Sequence, residues 1–136
     1  MDLNLEIPQG HLFIRSIDAN GIRVKDEYYT DPFVLSTQQI LPTWSVATIA
    51  DISEESLQHI FDLQPEVVLV GCGKNQVFLP PAIQMLFLSR NIGVEVMTTS
   101  AACRTFNVLA AEGRRVVAAL LPETIEAESK SPAAQD

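Results

Sequence analysis

Four consecutive apolar residues, Val67, Val68, Leu69 and Val70, follow Pro65-Glu66 and run directly into Gly71-Cys72-Gly73-Lys74-Asn75. So short an apolar run, rich in β-branched residues and bounded by Pro and Gly, reads as a strand buried on both faces. Such a strand needs a covering layer on each side. The chain is thereby constrained to an α/β arrangement in which helices cover the sheet. Folds of this kind place ligands at the glycine-rich turn after the strand, which makes Gly71 to Lys74 the first candidate site.

The residues after Asp51 follow that plan. Leu57, Ile60 and Phe61 fall at helical spacing, with Asp51 or Ser53 as N-cap and Glu54 and Glu55 in the first turn, where the helix dipole favours them. Pro80-Pro81 opens a second helix and Ile92-Gly93 closes it. Val94 to Met97 then reads as a strand, Ser100 to Glu112 as a third helix and Val116 to Leu121 as a final strand. This helix-strand alternation implies parallel pairing through right-handed crossovers. Before Asp51 the pattern is different. Leu12 to Ile17 and Ile22 to Lys25 flank Asp18-Ala19-Asn20-Gly21, whose Asn-Gly pair is a hairpin signal. With Phe33 to Ser36 as a third strand, the first third reads as an antiparallel meander. The chain of 136 residues then divides into a flexible N-terminus (1–9), a single α/β domain (10–122) and a C-terminal tail (123–136). That tail holds Glu, Ser, Ala and Pro without periodicity and reads as disordered.

Charge and composition exclude several function classes. The net charge is −8 and only nine Lys and Arg are scattered along the chain, so no nucleic-acid partner is expected. No apolar run approaches the roughly 20 residues that span a bilayer, so no membrane insertion is expected. Asp2 and Glu6 do not fit a secretory or transit signal, and a cytoplasmic location is expected. Two cysteines without clustered histidines form neither a disulfide framework nor a zinc site. No metal and no cofactor is indicated.

Neither nucleotide-binding motif is present at the glycine loop. A dinucleotide fingerprint needs a third glycine where Gln76 stands, and a phosphate loop needs Ser or Thr where Asn75 follows Lys74. Gly71 and Gly73 suit a tight turn with Lys74 solvated, or a loop that touches a ligand. Thr98 to Arg104 marks a helix start, which is an anion site or an ordinary cap by Ser100 or Thr99. If the two strands are neighbours, Gly71, Gly73, Lys74, Thr98, Ser100 and Cys103 line one cleft, with Asn107 as an orienting group. Asn107 itself sits mid-helix, within reach of a polar network of Arg104, Glu112 and Arg114 or of solvent. Cys72 and Cys103 share that edge, but His11 lies in the meander and His59 on the polar side of the first helix. The thiols therefore read as inert small hydrophobes. In the second helix Ile83, Leu86 and Phe87 form one face, and Met85 and Leu88 lie roughly opposite. The helix thus has a core face and a candidate protein-contact face.

The segment from Glu66 to Pro122 carries Val-Val-Leu-Val-Gly-Cys-Gly-Lys, Leu-Pro-Pro, Gly-Val-Glu-Val-Met-Thr-Thr and Ala-Ala-Cys-Arg-Thr-Phe-Asn-Val-Leu-Ala-Ala-Glu-Gly-Arg-Arg. In that order these motifs resemble the small domain family that includes mitochondrial respiratory complex I assembly factor 3, an adipogenesis-associated domain protein and uncharacterised archaeal and proteobacterial proteins. The resemblance covers most of residues 10–122 and is strongest to the proteobacterial branch. It implies a three-layer fold with a central mixed, largely parallel sheet, in which one strand runs antiparallel to the rest. For the eukaryotic branch it implies a protein-binding role in respiratory complex I assembly. The matching positions are Gly71, Gly73, Lys74, Pro80, Pro81, Thr98, Ala101, Thr105, Phe106, Asn107, Glu112 and Arg114, and the resemblance assigns no catalytic residue. Two functions follow: a soluble module that binds another protein, or a second copy of itself, through Met85 and Leu88, and a small-molecule site or enzyme at the Lys74–Thr98 cleft.

Overall fold

The structure, a computed structural model, describes residues 10–123. The expectations for residues 1–9 and for the tail from 124 onward lie outside the described residues.

The hairpin forms where the Asn-Gly signal placed it. Strands β1 (Ile14–Asp18) and β2 (Gly21–Val24) pair antiparallel. The Asp18 carboxylate accepts the Asn20 amide at 2.8 Å, a side-chain turn that pre-organises the loop. Gly21 has φ +121, and a Cβ there would lie 2.7 Å from the Tyr29 carbonyl oxygen, so only glycine fits. The third strand of this sheet is β3 (Glu27–Tyr29), paired to β2. Phe33–Ser36 leaves the meander instead: as β4 it joins a second sheet, antiparallel to β8 (Val116–Leu121), with Phe33 opposite Leu120 and Leu35 opposite Ala118. The expected antiparallel meander is present, with Glu27–Tyr29 and not Phe33–Ser36 as its third strand. Phe33, Val34 and Leu35 are all buried, and a strand covered on both faces belongs inside a layered sheet rather than in an open meander.

The second sheet adds β5 (Ile40–Leu41), β6 (Val67–Cys72) and β7 (Gly93–Met97), in the order β5-β4-β8-β6-β7. β6 runs parallel to both β7 and β8, and β4 runs against β8 and β5. β4 is therefore the one strand opposed to the others. Alternation divides the side chains between two cores. Phe33, Leu35, Val67, Leu69, Val116, Ala118 and Leu120 face one side, against helix α3 (Thr99–Ala111) and the β1-β2-β3 sheet. Val34, Val68, Val70, Val117, Ala119 and Leu121 face the other, against α1 (Glu54–Asp62), α2 (Pro81–Leu88) and the segment from Trp44 to Ile52. The adjacent alanines Ala118 and Ala119 in the middle of β8 are fully buried and let layers close in from both sides.

The helix ends follow local chemistry. Ser53 caps α1 and exchanges bonds reciprocally with Ser56, while Asp51 closes the preceding single 3-10 turn, Ile49–Asp51, against Thr48. Pro81 occupies the first position of α2, where its missing N–H costs nothing. α3 begins one residue earlier than its sequence pattern indicates. Thr98 is its N-cap, because the Thr99 hydroxyl is engaged elsewhere.

Candidate functional site

β6, β7 and β8 are parallel, so the residues that follow them emerge at one edge of the sheet. The structure therefore brings the Gly71 to Lys74 loop and the start of α3 together, as the sequence pattern anticipated. The two are joined by direct hydrogen bonds. The Thr99 amide donates to the Gly73 carbonyl at 2.9 Å, and the Gly73 amide donates to the Thr99 hydroxyl oxygen at 2.8 Å. That hydroxyl donates in turn to the Leu121 carbonyl, so one fully buried threonine ties together the ends of β6 and β8 and the first turn of α3.

Gly71 is the residue that allows this contact. A Cβ there would lie 2.9 Å from Leu120 Cδ2 and 3.1 Å from the Thr99 Cα. Gly73 adds a left-handed turn, φ +97. Both glycines therefore serve close packing and chain reversal. Lys74 projects into solvent.

The helix start is capped from within the protein. The Thr98 hydroxyl oxygen accepts the Ala101 amide at 3.4 Å, and Ser100 donates its hydroxyl to Glu123 at 2.6 Å. Glu123 thus sets a carboxylate beside the positive end of α3, where an anionic ligand would otherwise be favoured. The sequence pattern assigned Glu123 to the tail and gave it no role.

Asn107 stands apart from this edge. It is buried, and its side chain accepts the Ile14 amide at 2.9 Å and donates to the Ile14 carbonyl at 2.8 Å. Ile14 lies opposite Val24 on an outer strand of the three-stranded sheet, and the register shifts between it and Ser16. Asn107 therefore anchors the meander to α3 and does not orient anything in the cleft. Of its three expected neighbours, Arg114 pairs instead with Glu66 at 2.9 Å.

The two thiols lie on opposite faces of the sheet. Cys103 belongs to the core beneath α3 and Cys72 to the core beneath α1 and α2. Burial, reinforced by the nearby Glu123 charge, pushes the Cys103 thiol up to about 12, so the thiolate that a helix start would favour does not form near neutrality. Among the described residues no group of His, Cys, Asp and Glu could hold a metal ion.

The second candidate surface lies on α2. Phe87 is fully buried and packs edge-on against Phe61, with Ile83 and Leu86 half-buried beside the same core. Met85 is 56% exposed and Leu88 68%, one turn apart on the solvent side. The loop before α2 adds Phe78, 84% exposed, and Val77. Helical periodicity could not flag Phe78, since it lies outside any regular element. The available signal is the apolar run Val77-Phe78-Leu79 between Asn75-Gln76 and Pro80-Pro81.

Comparison with known proteins adds three relatives. The chain is 38% identical over 122 residues to the mouse protein named NADH dehydrogenase [ubiquinone] 1 alpha subcomplex assembly factor 3, covering 88% of this chain and 65% of that one. It spans slightly less than two thirds of the length of that relative. A protein of Francisella tularensis named 13 kDa major membrane protein is 30% identical, with 85% of this chain and 95% of that protein covered. No helix among the described residues is long and apolar enough to cross a membrane. Among solved structures, the crystal structure of a Bordetella parapertussis protein superimposes with a TM-score of 0.78 at 37% identity, covering 85% of this chain and 98% of that one. A family model described as "Protein of unknown function (DUF498/DUF598)" matches residues 14–121, from the first strand to the last. Fold, span and sequence agree, and the chain belongs to this family of unknown function, which includes the complex I assembly factor 3 proteins.

Proposed function

We propose that this chain is a protein-binding domain that acts in respiratory-complex assembly and docks its partner on the solvent face of α2. The observation that carries this reading is the exposure of Met85 and Leu88 on a short helix whose other face is already buried in the core. Flexible apolar side chains in water are characteristic of surfaces that become covered by a partner. The names of the curated relatives supply the respiratory context. A ligand reading at the Gly71–Thr98 edge has less support. There the Thr99 and Ala101 amides are already bonded, and Glu123 occupies the anion-favouring position.

The test is affinity capture with tagged full-length protein from its own cells, comparing the native sequence with a Met85→Ser, Leu88→Ser double variant. Exposed substitutions of this kind shift folding stability by about 0.5 kcal/mol or less, so a lost partner reports on the surface and not on the fold. The reading predicts specific co-purification with the native chain and its loss with the variant. Equal capture by both would sink the α2 assignment. Normal complex I content and activity after deletion of the gene would sink the respiratory one.

A further inference from the structure

At the other end of the five-stranded sheet, β5 pairs with β4 alone among the described residues. Between this short edge strand and α1 runs a groove of about 760 Å³. Its floor is apolar, formed by Leu41, Trp44 and Ile60, and its rim carries the carboxylates of Asp51 and Glu55 together with His59. No Lys or Arg lines it. The floor is held in place from both sides. The Trp44 amide donates to the Pro32 carbonyl and its indole N–H to the Ser56 carbonyl, each at 2.9 Å.

We infer that this groove is a second docking surface, and that its occupant is an extended segment of a partner protein in which apolar residues alternate with Lys or Arg. Two features of the groove select that chemistry, while backbone pairing adds little, because β5 is two residues long and Pro42, which has no N–H, follows it. The apolar floor accepts alternate side chains of such a segment, since they fall on one face at a period of two. The carboxylate rim attracts cations at the positions that flank them. A second copy of this chain is a poor occupant, because a molecule of net charge −8 is repelled from an acidic groove on its twin. The surface is separate from the one on α2, which packs beside β7 at the opposite end of the strand order.

The experiment follows the amide and indole resonances of the full-length 15N-labelled chain during titration with a blocked peptide, Lys-Val-Lys-Leu-Arg-Val. A counterpart with Glu at every cationic position serves as the control. The expected result is movement of the Trp44 indole, Leu41 and Ser56 signals with the cationic peptide alone. Glu55→Lys, a substitution at an exposed position, should weaken that binding about fivefold, and Met85→Ser should leave it unchanged. The proposal is overturned by equal shifts from both peptides or by no shift at about 1 mM peptide. It is overturned as well if spermidine alone reproduces the shifts, which would make the groove a small-cation site. Movement of the same signals on simple dilution would assign it to a second copy, with the same consequence.

Discussion

Asn107 shows what one side chain does when it is a partner of buried backbone. Its amide bonds both the N–H and the C=O of Ile14, and the Asn107→Ala substitution would remove that partner from both groups in a buried layer. Each buried group left without a partner costs about 1–3 kcal/mol, so the variant should lose about 2–5 kcal/mol in chemical denaturation. A loss below about 1 kcal/mol would show that water enters and takes over. The sequence marks Asn107 as unusual, because a polar side chain in mid-helix competes with the helix backbone. Its partner is illegible there, since it lies 93 residues away at a register shift that no local pattern announces. The cysteines teach a related lesson. Their positions near one sheet edge were readable, but which face each thiol occupies is set by strand alternation and helix phase together.

At the scale of elements, the junction of the β6 loop with α3 depends on one hydroxyl. Thr99→Val keeps the shape but removes the acceptor for the Gly73 amide and the donor to the Leu121 carbonyl. The expected cost is about 2 kcal/mol, with most of it restored in Thr99→Ser. Equal stability of the Val and Ser variants, measured by thermal melting, would show that shape alone holds the junction. Much of this region was legible. The apolar run of β6, the proline start of α2 and the threonine-rich start of α3 each follow a local rule of propensity or capping. The capping residue of α3 was misplaced by one or two positions because Thr98, Thr99 and Ser100 are chemically equivalent until their tertiary partners are known. β4 was likewise recognisable as a strand, but its sheet was not. Phe33 to Ser36 pairs with a segment more than 80 residues downstream, and its own sequence carries only the hint of three consecutive apolar residues.

For the molecule as a whole, one surface charge is anchored from two sides: Glu66, at the turn between α1 and β6. The Arg115 amide donates to its carboxylate at 3.0 Å, the Arg114 guanidinium at 2.9 Å, and these contacts hold its pKa below the ordinary 4.5. A carboxylate depressed by folding stabilises the native state above its unfolded value and stops doing so as pH falls through the folded one. The native chain should therefore be more stable than a Glu66→Gln variant at pH 7, with the two melting curves converging below about pH 4.5. A difference that persisted unchanged at pH 3 would exclude the carboxylate as its source. High salt should narrow the gap at pH 7, because both partners are partly exposed.

The central position of β8 also has a consequence for synthesis. This strand, the last among the described residues, lies between β4 and β6 and contributes side chains to both cores, so neither core can close while residues 116–121 are still inside the ribosome. Contacts of such sequence separation form slowly. The growing chain must expose Phe33, Leu35 and the apolar face of β6 until residues 116–121 have emerged, in the state where aggregation competes with folding. A nascent chain of this topology stays open to aggregation until β8 emerges, and a stop codon before Val116 is expected to leave no folded remnant.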